Sequence, residues 1–131
     1  MRYLVDSDWL IDAFLGLPTA VNLLARLRDD GLAVSIISYG ELFEGAIGAP
    51  DPATELARFR RFLARLALLT LDDAVMERFA RLRTELRRRG QLIPDLDLLI
   101  AATAMHHDLT LLTRNVRHFH RIPQLRLHQP S

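Results

Sequence analysis

The sequence predicts an α/β fold, a single domain over residues 1–131 in which a central parallel sheet of four to five short strands carries helices on both faces. Three observations lead there. Short apolar runs alternate along the chain with amphipathic segments long enough to serve as crossover helices. Those segments are bracketed by capping residues at their starts and by Gly or Pro at their ends. One late segment, Leu96 to Met105, is apolar almost all round, the pattern of a helix packed inside a molecule rather than along its surface.

Taken in order, Tyr3 to Val5 forms the first strand and ends at Asp6, and Ser7-Asp8 supply capping groups for an amphipathic segment from Trp9 to Leu15. Pro18 suits the first turn of a second helix, with Val21, Leu24 and Leu27 on one face and a stop at Gly31. Leu32 to Ile37 reads as the second strand. Ser38 then caps a third helix, with Glu41 three residues on as in a capping box, and Gly48-Ala49-Pro50 ends it. Pro52 opens a longer helix through Leu56, Phe59, Leu63 and Leu66. Leu68 to Leu71 is the third strand, Asp72 or Asp73 caps a helix running to Arg89, and Gly90 closes it. After the connector Gln91 to Pro94 comes the apolar helix, then a fourth strand at Leu109 to Leu112, a short helical turn at Val116 to His120 and a small edge strand at Leu125 to Leu127. No repeat, low-complexity tract or linker divides the chain, and the crossovers are expected to be right-handed.

Composition removes several kinds of chemistry. With hydrophobic residues at 50% and charged residues at 25%, the chain has the proportions of a soluble globule. A chain of 131 residues can bury roughly two-thirds of its unfolded surface without staples. Cysteine is absent, which excludes disulfides, a cysteine nucleophile and thiolate metal sites. All 17 basic residues are arginine, so a Schiff base, a P-loop lysine and a lysine general base are excluded too. Asp6 falls too early for the apolar stretch of a signal peptide, and no apolar run approaches the ~20 residues of a membrane span, so the expected location is cytoplasmic. A net charge of +1 argues neither for nor against a polyanionic partner.

The acids fall where such a fold binds ligands, outside the carboxyl ends of its strands. Asp6 ends the first strand, Glu41 follows the second, Asp95 and Asp97 open the apolar helix, and Asn115 follows the fourth strand. Carboxylates crowded together repel, so a persistent cluster implies a counter-charge, and oxygen-only donors point to magnesium or manganese. A water on such an ion can attack a phosphodiester. Each acid also has a plainer reading: Asp6 as a helix cap, Glu41 as the acid of a capping box, Asp95 as the N-cap of the helix beginning at Leu96. Asp97 resists that reading, because a carboxylate one turn into an apolar helix is desolvated unless it faces a polar cleft. Asp8 with Asp12, and Glu41 with Glu44, share helix faces at a spacing of four, and of these Asp8 is the one placed to approach the site.

Four blocks now stand in order: Tyr3-Leu-Val-Asp6-Ser7-Asp8, Ile37-Ser38-Tyr39-Gly40-Glu41-Leu42, the run from Ile93-Pro94-Asp95-Leu96-Asp97 to Ala104, and Leu112-Thr113-Arg114-Asn115-Val116-Arg117-His118-Phe119. Together they resemble the PIN-domain ribonucleases of the VapC toxin type, over nearly the whole chain. The resemblance implies an acidic pocket for Mg2+ or Mn2+, hydrolysis of RNA, a homodimer and inhibition by a cognate VapB-like antitoxin. Residue by residue it implies Asp6, Glu41 and Asp97 as the catalytic, metal-site acids. The family's fourth position, commonly aspartate, is Asn115 here, whose amide oxygen coordinates without adding charge. Asp8 stands where a neutral residue is more usual, and is expected to restore part of that charge, with Asp95 a further candidate ligand. The implied products carry 5′-phosphate and 3′-hydroxyl ends.

RNA approaching an acidic pocket needs cations at its rim. Arg114, Arg117 and Arg121 lie just past the fourth strand, and Arg114 and Arg117 are the candidate phosphate contacts, although arginine near a helix end also serves the helix dipole. His106-His107 and His118 with His120 read as solvated helix-end residues rather than zinc ligands. Trp9, Phe14 and Phe43 read as packing groups, and the faces around Leu42, Phe43, Phe59 and Phe62 as core, with a dimer or antitoxin surface the alternative. Two other functions are open. A haloacid-dehalogenase-like phosphatase would also begin with a strand and Asp6-Ser7-Asp8, but its lysine and its Gly-Asp motif are missing. A noncatalytic RNA-binding module on the same fold is the other, made plausible by Asn115.

Overall fold

The computed structural model describes residues 1–129. Its elements run β1 Tyr3–Val5, α1 Ser7–Phe14, α2 Pro18–Leu27, a 3-10 turn Arg28–Asp30, β2 Leu32–Ser35, α3 Ile36–Ile47, α4 Pro52–Leu63, β3 Ala67–Leu69, α5 Asp73–Arg88, α6 Asp95–His106, β4 Thr110–Leu112 and α7 Val116–Phe119. All strand pairings are parallel, and the order across the sheet is β3-β2-β1-β4.

Because side chains alternate along a strand, each strand feeds two cores. Leu4, Ala33 and Leu111 point to one face, where Leu86 of α5, Leu98, Ile100, Ala101 and Ala104 of α6 and Phe119 of α7 meet them. Val5, Val34 and Leu112 point to the other, against Trp9, Leu10, Leu23, Leu42, Phe59 and Leu63 from α1 to α4. The expected architecture is therefore present, with four strands. Leu125 to Leu127 adds no fifth strand, only a single parallel bridge from Leu127 to Leu111.

Several boundaries differ from expectation for identifiable reasons. Asp6 itself caps α1, its carboxylate accepting from Ser7 N, so Ser7-Asp8 lie inside the helix. β2 stops at Ser35, which caps α3 through Ile37 N at 3.1 Å. Ile36 and Ile37 lengthen the apolar run in the sequence, yet they are helical, and Ser38 is buried within α3 rather than capping it. β3 begins one residue earlier than expected and ends at Leu69. Pro94 is the N-cap of α6, which makes Asp95 its first helical residue. Leu96 faces outward at 51% exposure, and on α2 Val21 is exposed while Ala20 and Leu23 are buried. Asp72 and Gly90 bound α5 as expected, Gly90 with φ of +64°.

The strand order places the site. From β1 the chain winds to β2 and β3 on one side, then returns to lay β4 on the other side of β1. Connections on either side of this point diverge, opening a crevice at the carboxyl ends of β1 and β4.

Candidate active site

Asp6 leaves β1 directly into that crevice. Its backbone N–H donates to Leu112 O at 2.9 Å, which fixes it against β4. One carboxylate oxygen accepts from Ser7 N at 2.8 Å and the other from Thr113 Oγ1, just past β4, at 2.7 Å. The residue is 6% exposed. Burial pushes its pKa up to about 6; the Thr113 and Ser7 hydrogen bonds oppose that rise, and the charges of Asp8 and Glu41 add to it.

Glu41 projects from the second turn of α3 and accepts from Ser7 Oγ at 3.2 Å, so a single serine links the first two acids. Its carboxyl also sits above the usual range, through desolvation and through the charges of Asp97, Asp8 and Glu44, against the Ser7 bond. Ser7 ties Asp6 to Glu41, and the charge of Asp97 reaches Glu41, so the three acids neighbour one another along the crevice although they lie far apart in sequence.

Asp97, in the first turn of α6, is partly buried, and both of its hydrogen bonds fall on Oδ2: Asn115 Nδ2 donates at 3.1 Å, and His118 Nδ1 lies at 2.7 Å. Two acceptors do not approach so closely, so His118 Nδ1 carries the proton and donates. His118 is thus part of the site and not a solvated helix-end residue. Its sequence signal was the spacing of three from Asn115, one turn of α7.

Asp8 is held differently. Its oxygens accept from Trp9 N at 2.7 Å and from Arg114 N at 2.9 Å, so it latches the loop after β4 onto α1 while adding negative potential to Asp6 and Glu41. Arg114 reinforces the latch: its guanidinium pairs with Asp12, and its central carbon lies 4.0 Å from the centroid of the Trp9 ring. Arg117 makes no ion pair among the described residues and is exposed. Asp95 turns away toward α5, where Arg83 Nε lies 3.1 Å from it, and does not join the other acids. Ser7, read in the sequence only as a helix cap, and Thr113, part of the fourth block but given no role, hold the acids in place, which the sequence does not reveal because hydroxyls carry no pattern of their own.

Among the described residues no three histidine or acidic side chains converge tightly enough to close a cage around an ion. The donors at the notch are carboxylate oxygens whose charges raise one another's pKa, which fits a hard divalent cation. Such an ion takes one or two carboxylates, keeps several waters and leaves room for a substrate phosphate.

The parallel sheet in this strand order, with acids neighbouring one another beside its switch point, is matched by the PIN domain. The chain matches that family over residues 3–125 and belongs to it. More particularly, it is 30% identical to Ribonuclease VapC2 of Haemophilus influenzae, with 96% of each chain covered. It is 28% identical to the tRNA(fMet)-specific endonuclease VapC of Shigella flexneri, again over 96% of each. Its structure superposes on that of VapBC2 from Rickettsia felis, bound to a DNA fragment from their promoter, with a TM-score of 0.90 and 29% identity over 100% of both chains.

Proposed function

We propose that the protein is a divalent-metal-dependent endoribonuclease, the toxin of a VapBC-type pair, restrained by a VapB-like antitoxin and acting as a homodimer in the cytoplasm. What supports the reading is that Ser7 links Asp6 to Glu41 and that Asp97 lies within charge reach of Glu41, in a chain similar over 96% of its length to a ribonuclease. Family membership replaces the phosphatase reading.

In this proposal Asp6 and Asp97 hold Mg2+ or Mn2+, and Glu41 binds a metal or orients its water. The bound ion supplies a water acidic enough to attack phosphorus and offsets charge on the phosphoryl and leaving oxygens. The chain supplies the rest. Thr113 and Ser7 hold Asp6, Asn115 and His118 hold Asp97, and Asp8 adds charge from behind the loop. Asn115 presents its amide nitrogen to Asp97, which makes it a donor to a ligand in the first place and a ligand itself only after rotation. Asp95, paired with Arg83, stays outside this set. Arg117 meets RNA phosphates, and Arg114, already paired, shapes the rim.

The test is RNA cleavage with and without Mg2+ or Mn2+, on mixed mRNA and a tRNA pool. Cleavage that disappears with chelator and falls by about a thousandfold or more in Asp6→Asn and Asp97→Asn is expected, from the size of electrostatic contributions to such reactions. RNA bound but never cut, with any divalent ion, would establish the noncatalytic module instead.

A further inference from the structure

Asp6 and Asp97 each accept two hydrogen bonds, but they distribute them differently. On Asp6 each oxygen takes one, from Ser7 N and from Thr113 Oγ1. On Asp97 both land on Oδ2, from Asn115 Nδ2 at 3.1 Å and His118 Nδ1 at 2.7 Å, and the two nitrogens lie 2.9 Å apart beside that oxygen. The neighbouring chain fixes both donors: Asn115 N donates to Thr113 Oγ1 at 3.1 Å, and Phe119, beside His118, is fully buried.

We propose that Asn115 and His118 are metal-specificity residues: by occupying Oδ2 they leave Asp97 a single free oxygen, Oδ1, and so favour small octahedral ions over Ca2+. This rests on the metal-dependent reading above. Ca2+ takes six to eight oxygens at longer range and often grips a carboxylate with both of its oxygens, whereas Mg2+ accepts one oxygen per carboxylate in a near-ideal octahedron. A carboxylate with one oxygen already saturated serves the second ion and handicaps the first. Both residues act through Asp97 and are positioning residues. Hydrogen bonds to metal-ligating carboxylates are known to tune the affinity of the site they support.

The experiment titrates the full chain with Mn2+ and, separately, with Ca2+ by calorimetry, without RNA. The ratio of the two affinities is the readout, and turnover is not needed. His118→Ala and Asn115→Ala each remove one of the two donors on Oδ2 and so open one of its acceptor directions to a metal, and each is expected to narrow the preference for Mn2+ by about tenfold. His118→Asn, whose amide N–H can stand where Nδ1–H stood, is expected to restore most of it. The two alanine variants address one oxygen from two sides, so a folding failure in either leaves the other to decide. If the unaltered chain binds Mn2+ and the ratio stays within twofold in the variants, the specificity role is wrong and the nuclease reading stands. A ratio that narrows equally in His118→Asn also overturns it. No Mn2+ uptake by the unaltered chain removes both readings.

Discussion

Burial lifts the pKa of Asp6 from 3.8 to about 6, with the charges of Asp8 and Glu41 adding to the rise, and this gives the metal-free protein a specific pH response. Below about pH 4 Asp6 is protonated in folded and unfolded chains alike, and its contribution to stability is fully present. As pH rises through about 6 the unfolded state has already released its proton while the folded state gives it up reluctantly, so that contribution is lost, at up to about 1.4 kcal/mol per pH unit. Thermal unfolding of the wild type and Asp6→Asn is therefore expected to diverge between pH 4 and 6.5, with the wild type losing ground relative to the variant. A divalent ion, which favours the ionised form, should recover the difference at pH 7 and release protons on binding. Identical pH slopes for the two proteins would mean that Asp6 is not desolvated. At this scale the sequence singled out the candidate acids but not the groups that hold them. Asp97 was legible because a charge inside an apolar helix demands an explanation, whereas His118 looked like one more polar residue at a helix end until its distance to Asp97 was known.

Among the elements, the junction before β2 carries a sharp constraint. Gly31 has φ of +93°, and a Cβ there would lie 2.7 Å from Met1 Cα, while Gly31 O accepts from both Arg2 N and Tyr3 N at the start of β1. Gly31→Ala combines backbone strain with a backbone clash and is expected to cost on the order of 2–3 kcal/mol in urea unfolding. A loss below about 0.5 kcal/mol would show that β1 can shift to make room. Gly31 was recognisable in sequence as a stop, although not as the clasp on β1. The misplaced cap of α3 teaches the complementary lesson. Ser35 and Ser38 are equally good caps by residue type, and two isoleucines between them look like strand. What decides is register, because Ser35 still pairs with Leu69 in the sheet and α3 follows with no loop at all. Replacing the cap, Ser35→Ala, should cost about 1 kcal/mol, while Ser38, which has no hydrogen-bond partner among the described residues, should tolerate alanine better.

For the molecule as a whole, alternation of strands and helices was enough to give layers and sheet type, since each strand must feed two cores and each helix must cover one. The order of strands was not written in the periodicity, because a parallel crossover can place its next strand on either side. That order matters, since it opens the crevice beside Asp6. Long-range charge also belongs to this scale. The acids at the notch would repel the RNA substrate proposed above, so its binding would have to come from arginines around them. Arg114 is already paired with Asp12, which leaves Arg117 the stronger candidate of the two. Arg117→Ala is expected to weaken binding of single-stranded RNA and reduce the slope of log affinity against log salt by about 0.7. An unchanged slope would move the phosphate track elsewhere on the surface.

The groups that neighbour one another at the notch come from Asp6 on one side and from Asn115 and His118, more than 100 residues later, on the other, and the strand that delivers Thr113 is the fourth of the sheet in chain order. A nascent polypeptide still holding β4 within the ribosome has its first acid without that acid's partner across the crevice. Any hazard that the proposed nuclease poses to its own cell consequently begins only once β4 has emerged, and fragments released before that are expected to be harmless.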